Sequence, residues 1–242
     1  KAYGEKDING ILDPLVKEWF FSKFKEFSIP QLYGVIPINE RKNILISAPT
    51  GGTKTLTAFL SILNYLVSLA RKNELEDKVY AVYVSPLKAL NNDIAINLIN
   101  PLREIRGLAE KNGIKMQHIR VGLRTGDTTP EDRAKMLKNP PHIFVTTPET
   151  LAIVLTAPKF IEKLTAVEYL IIDEIHAMAN KRGVHLSLSV ERLQNISKIT
   201  PVRIGLSATI SPLEEVAKFL VGFENEVERD CLIADVQFTK KI

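Results

Sequence analysis

Six short apolar runs constrain this chain more than any other feature. They cover 43–47, 79–85, 118–123, 142–146, 169–173 and 202–207. Most are unbroken rather than alternating, the pattern of strands buried on both faces. Helical periodicities fill the gaps at 54–70, 86–97, 101–112, 130–138, 148–155, 184–199 and 212–221. Several open on Ser-Pro, Thr-Pro or Asn-Pro, a capping residue followed by the residue best suited to a first helical turn. Strand and helix in alternation predict an α/β fold, a mostly parallel sheet with helices on both faces. Ligands of such sheets bind beyond the carboxyl ends of the strands. At 242 residues the chain is long enough for one large unit of this kind. The stretch 11–27 reads as a further helix, with Trp19, Phe20, Phe21, Phe24 and Phe27. Most of these aromatics are expected in the core, with one or two free to border a base-binding slot.

The first run leads into Ser47-Ala48-Pro49-Thr50-Gly51-Gly52-Thr53-Lys54-Thr55, followed by an apolar helix. Strand, glycine-bearing turn, Lys-Thr and helix form a phosphate-binding loop, in which backbone N–H groups and the helix N-terminus face the phosphates. Thr50, Gly51, Gly52 and Thr53 would cradle a nucleoside triphosphate. Lys54 would reach the β and γ phosphates, and the Thr55 hydroxyl would ligate Mg²⁺. Thr53 departs from the pattern, which has Gly before the Lys. A β-branched residue is disfavoured there if the loop needs positive φ, and its side chain crowds the phosphates.

The fifth run ends in Asp173-Glu174, followed by Ile175-His176. Behind a phosphate loop, the first acid holds Mg²⁺ through water and the neighbouring Glu positions or deprotonates the attacking water. Asp173 is therefore a metal candidate, and Asp173, Glu174 and Lys54 are the catalytic candidates. An isolated Asp-Glu would more often be an acidic helix start. Ser207-Ala208-Thr209 ends the sixth run, where two hydroxyls can bond the Asp173–His176 segment. Alone, that tripeptide reads as an ordinary cap. Three other strand ends carry Ser85-Pro86-Leu87-Lys88, Arg124-Thr125-Gly126-Asp127 and Thr146-Thr147-Pro148-Glu149. Hydroxyls, free amides and a few cations suit a nucleic-acid backbone, whose contacts position a protein without reading sequence.

Composition excludes more than it assigns. Cys231 is the sole cysteine, so no intrachain disulfide forms, which suits a reducing cytoplasm or a chain indifferent to redox state. His118, His142, His176 and His185 are not at metal-ligand spacing. No apolar run approaches the ~18 residues of a membrane span, so no membrane partner is expected. The net charge of +4 leans weakly toward an anionic partner. The chain starts without Met and reads as a piece of a longer protein.

The order of these motifs resembles the first RecA-like domain of a superfamily 2 helicase, of the P-loop NTPase class. Ser85-Pro86-Leu87-Lys88-Ala89-Leu90, Arg124-Thr125-Gly126-Asp127-Thr128, Asp173-Glu174-Ile175-His176-Ala177 and Arg182-Gly183-Val184-His185-Leu186-Ser187-Leu188 are similar to the large helicase-related (Lhr) group of archaea and bacteria. The resemblance implies that Gln31 reads the adenine edge of ATP and that His176, Ser207 and Thr209 couple hydrolysis to motion. Pro86, Lys88, Arg124, Gly126, Thr147 and Glu149 would line the nucleic-acid path. It implies an N-terminal aromatic segment with the adenine motif at 1–30, a RecA-like ATP-binding domain at 31–235, and the start of a linker at 236–242. It also implies a prokaryotic cytoplasmic protein and a second RecA-like domain in cis that brings arginine fingers, without which ATP hydrolysis is slow and unwinding absent. The partner would be single-stranded or partially duplex DNA, with 3′–5′ translocation by the full-length protein. DNA–RNA hybrids, an RNA-remodelling ATPase, and a nucleic-acid-binding module with an ATP site weakened by Thr53 remain open at the level of sequence.

Overall fold

A computed structural model describes residues 2–49, 53–86, 90, 93–178, 183–209 and 212–236. The chain begins with α1 (Glu5–Ile11), α2 (Pro14–Lys23) and α3 (Ile29–Asn39), then β1 (Ile44–Ser47), α4 (Thr53–Lys72) and β2 (Ala81–Val84). A π-helical turn, Ala95–Ile99, leads into α5 (Asn100–Lys111), followed by β3 (Val121–Arg124), α6 (Pro130–Lys138) and β4 (Ile143–Thr146). Next come α7 (Pro148–Val154), α8 (Pro158–Leu164), β5 (Tyr169–Ile172), α9 (Ile175–Met178) and α10 (Gly183–Ile196). The chain continues through β6 (Val202–Ser207), α11 (Leu213–Val221), the hairpin β7 (Phe223–Glu224) and β8 (Val227–Glu228), and β9 (Leu232–Asp235).

Among the described residues, seven strands form one parallel sheet in the order β3-β4-β2-β5-β6-β1-β9. The five interior strands β4, β2, β5, β6 and β1 are buried throughout, as unbroken apolar runs require. Their residues alternate between two apolar layers. Ile44, Ile46, Ala81, Tyr83, Tyr169 and Ile171 face α1 to α5, whereas Leu45, Val82, Val84, Leu170 and Ile172 face α7, α8, α10 and α11. The N-terminal aromatics belong to the first layer. Trp19, Phe20 and Phe27 are buried, with Phe20 stacked on Phe27 at 4.6 Å.

Helix α4 is the spine of that layer. Leu56, Phe59, Leu60, Leu63, Leu66 and Val67 are buried along it. By length and composition it is apolar enough to cross a membrane, but 78% of that stretch is buried inside the protein, as in a core helix. It ends in a Schellman motif, with Asn73 at φ 62, Asn73 N–H on the Ala70 carbonyl and Glu74 N–H on that of Leu69. Helix α3 crosses α4 closely because Gly34 faces it. A Cβ there would lie 2.6 Å from Thr57 Cγ2 and 2.7 Å from Ile46 Cδ1.

The second layer is pinned by a buried cation. The Arg203 guanidinium on β6 is 2% exposed and donates to the Leu220 and Val221 carbonyls, Glu191 and Gln194. One carboxylate and three neutral acceptors satisfy it, which a buried charge demands. It joins β6 to the ends of α10 and α11.

The sequence expectations depart from this fold in several places. The single helix expected at 11–27 is split, because Asp13 caps α2 through the Leu15 N–H ahead of Pro14. Helix α3 escapes the periodicity because Gly34 and Pro37 read as breakers. The helices at 86–97 and 101–112 are bridged by the π turn, in which the Asn100 N–H reaches Ala95 beside Pro101. Strand β9 is an edge strand of mixed exposure, without the doubly buried signature. Gly34→Ala should lower stability by about 1–3 kcal/mol, read from the urea midpoint. An unchanged midpoint would mean that α3 slides freely on α4.

Candidate nucleotide site at the carboxyl ends of the strands

Every candidate strand end lies on one rim of the sheet, as parallel strands dictate. Strand β6 is interposed between β1 and β5, so Ser207 ends between the phosphate loop and the Asp173–His176 segment.

Thr50, Gly51, Gly52 and Lys88 fall outside the described residues. Thr53 is described, and it is the first residue of α4 with helical backbone. A residue within a helix needs no positive φ, so β-branching adds no left-handed strain there. Its carbonyl accepts the Thr57 hydroxyl at 2.6 Å. Lys54 is buried, and its Nζ donates to the Ala48 carbonyl at 2.8 Å. Burial holds the ammonium below its ordinary pKa, partly offset by the charges of Glu174, Asp173 and Asp93.

Asp173 is the hub. It is 2% exposed, and its Oδ2 accepts from the Thr55 hydroxyl at 3.1 Å and from the Tyr83 hydroxyl. Its Oδ1 accepts the Glu174 N–H at 2.7 Å. Burial raises the carboxyl pKa, and the Tyr83 hydrogen bond is the largest opposing effect. Burial and the Asp173 charge together push the Tyr83 phenol well above its ordinary value. Tyr83 and Asp93 were absent from the sequence candidates. A phenol inside the aliphatic run Val82-Tyr83-Val84 was the available signal, since a buried hydroxyl demands a partner.

Glu174 adopts φ 51, a conformation costing a non-glycine residue about 1–2 kcal/mol. This turn carries its carboxylate to His176, with Oε2 3.0 Å from Nε2. The Ala208 N–H lies 3.2 Å from His176 Nδ1 and can only donate, so Nδ1 is the acceptor and the neutral ring carries its proton on Nε2, facing Glu174. Ser207 Oγ lies 3.3 Å from the same Nδ1 and donates to the Ala208 carbonyl at 2.9 Å. His176 and Ser207 are thus brought together, whereas Thr209 is exposed and not bonded to His176.

The remaining candidates occupy less central positions. Gln31 is buried, and its Oε1 accepts the Ser28 N–H at 2.8 Å as part of the α3 N-terminus. Arg124 is mostly buried with its guanidinium 5.2 Å from the Phe160 ring centre. Thr147 caps α7 through the Thr150 N–H, with Glu149 exposed beside it. Pro86 is half-buried at the end of β2. Gly126 is exposed, and a Cβ built on it meets nothing within 4 Å.

The residues fit a magnesium–nucleotide. A hydroxyl and a carboxylate in contact at a helix N-terminus supply the hard oxygen donors that Mg²⁺ takes alongside phosphates. The described residues hold no cluster of three or more His, Cys, Asp or Glu side chains for an all-protein metal site.

A family profile for DEAD/DEAH box helicases matches residues 28–218. The chain belongs to the DEAD/DEAH box helicase family. It is 55% identical over 242 residues to "ATP-dependent helicase Lhr-Core" of Methanocaldococcus jannaschii, spanning all of this chain and 28% of that protein. It is 41% identical over 219 residues to "Lhr helicase/uracil glycosylase" of Escherichia coli, over 88% of this chain and 14% of the relative. The structure of the Mycobacterium smegmatis helicase Lhr bound to ssDNA and AMP-PNP matches with a TM-score of 0.84 at 41% identity, over 94% of this chain and 28% of that one. Mss116p bound to ssRNA and AMP-PNP matches with a TM-score of 0.77 at 20% identity, over 97% of this chain and 45% of that one, a likeness of fold alone. This chain is thus a helicase-family domain of RecA-like fold, and it spans little more than a quarter of the length of its archaeal relative. Because Thr53 is helical, Thr53→Gly should leave nucleotide affinity within about twofold, by calorimetry. A tenfold gain would show that its side chain crowds the phosphates.

Proposed function

We propose that this chain is the ATP-binding motor domain of an ATP-dependent superfamily 2 DNA helicase, translocating 3′–5′ on single-stranded DNA as part of a longer, prokaryotic cytoplasmic protein. The observation that carries this reading is the Thr55–Asp173 hydrogen bond, which joins the start of α4 to the end of β5 beside a buried lysine. Relatives that carry "ATP-dependent helicase" in their names, and an Lhr structure with ssDNA and AMP-PNP, support it.

Each residue has a physical task. Thr55 and Asp173 would hold Mg²⁺, which when bound offsets the charge of the phosphates. Lys54 exchanges the Ala48 carbonyl for phosphate oxygens, a stronger partner for a buried ammonium. Glu174 accepts the proton of the attacking water while His176 Nε2–H fixes its carboxylate. Motion of the Glu174 turn reaches the end of β6 through the His176 ring. Gln31 contacts the adenine from the start of α3. A second RecA-like domain in cis would supply transition-state cations, an effect worth orders of magnitude in rate.

The nucleic acid runs along the rim formed by Pro86, Lys88, Arg124, Gly126, Thr147 and Glu149. Gly126 is required by nothing within the described protein, and the reason for a side-chain-free position lies with a closely approaching phosphate backbone. For Arg124, whose side chain packs on Phe160, the contact is made by the backbone at the end of β3.

Lys54→Ala should abolish Mg²⁺-dependent ATP binding. Glu174→Gln should retain binding and lose at least ~100-fold in hydrolysis, measured in the complete protein. Equal loss of both in the two variants would sink the division of roles. Gly126→Ala should leave the melting temperature unchanged and weaken single-stranded DNA binding at fixed salt. Unchanged DNA affinity would remove this loop from the path.

A further inference from the structure

We infer that Tyr83 is a positioning residue for the metal-binding carboxylate, setting how much Mg²⁺ the nucleotide site needs. The inference rests on the magnesium–nucleotide reading above. Tyr83 lies on β2, paired with Ile171 of β5, so its backbone is fixed two residues from Asp173. Its ring is 0% exposed and packs on Phe59 at 5.0 Å between centroids. Phe59 sits one turn beyond Thr55 on α4. The ring is clamped between sheet and helix, and its hydroxyl meets Asp173 Oδ2.

Three donors hold the Asp173 carboxylate, and they differ in what nucleotide binding does to them. The Thr55 hydroxyl shares Oδ2 with Tyr83, and it must turn its lone pairs to Mg²⁺ when the metal arrives. The Glu174 N–H belongs to a turn at positive φ that carries the catalytic carboxylate. Tyr83 alone sits on a strand away from the reacting groups, so its bond persists while the other two rearrange. A carboxylate torsion is broad and two-fold when nothing restrains it. The phenol removes that freedom and holds the carboxylate in the orientation that a bound Mg²⁺ would meet. Such outer partners typically change metal affinity by 10–100-fold.

Tyr83→Phe keeps the ring and its contact with Phe59 and removes only the hydroxyl. The test is binding of a fluorescent, non-hydrolysable ATP analogue to the 242-residue chain, titrated with Mg²⁺ and repeated in EDTA. The expected result is a rise of about tenfold in half-saturating Mg²⁺, with the affinity in EDTA unchanged. A purely structural role would instead lower both affinities together and overturn the inference, as would an unshifted Mg²⁺ curve. Phe59→Leu, which loosens the clamp but keeps the hydroxyl, should give a smaller rise of the same kind. If the parent chain shows no Mg²⁺-dependent binding at all, the nucleotide reading fails and this inference with it.

Discussion

The hydrogen bonds to Asp173 Oδ2 tie together three elements that are far apart in sequence. Thr55 starts α4, Tyr83 lies within β2 and Asp173 follows β5. A buried carboxylate with too few donors is costly, so the pairing fixes how α4 lies on the sheet. The apolar layer under α4 contributes most of the stabilisation, but apolar contact is not directional. The polar hub supplies the direction. It also carries a cost, since burial disfavours the charged form of Asp173 in the ligand-free chain. A charge held under such conditions is suited to a cation that completes it.

The sequence expectations succeeded where one physical rule acted alone. Interior strands were legible because burial on both faces favours unbroken apolar runs, as in Ile44–Ile46 and Tyr169–Ile172. Caps were legible because Thr129 and Thr147 do the same job in any helix. Strand β9 was hidden because an edge strand obeys its neighbour β1 more than its own pattern. Helix α3 was hidden because contact with Thr57 and Ile46 selects Gly34 against helical propensity.

The site shows the same division. Lys54, Thr55, Asp173 and Glu174 stand out in the sequence because the proposed chemistry needs those residue types next to one another, and the structure joins Thr55 to Asp173. Tyr83 does not, since its partner is reached through sheet pairing rather than through sequence. The concern over Thr53 followed from the loop pattern, and its helical conformation removes the backbone half of that concern. Ala208 was invisible for a simpler reason. Its contribution to His176 is a backbone N–H, which every residue but proline can offer.

The buried Arg203 gives β6 a property that the proposed coupling would exploit. At its start the strand is bolted to α10 and α11 through four acceptors, and at its end it is touched by His176. A lever transmits force only against a fulcrum that does not yield. With β6 anchored at the far pole, displacement of the Glu174–His176 turn cannot be absorbed by the strand slipping along its neighbours. Under the proposed coupling it would appear instead at Ala208, whose N–H meets the His176 ring at the rim.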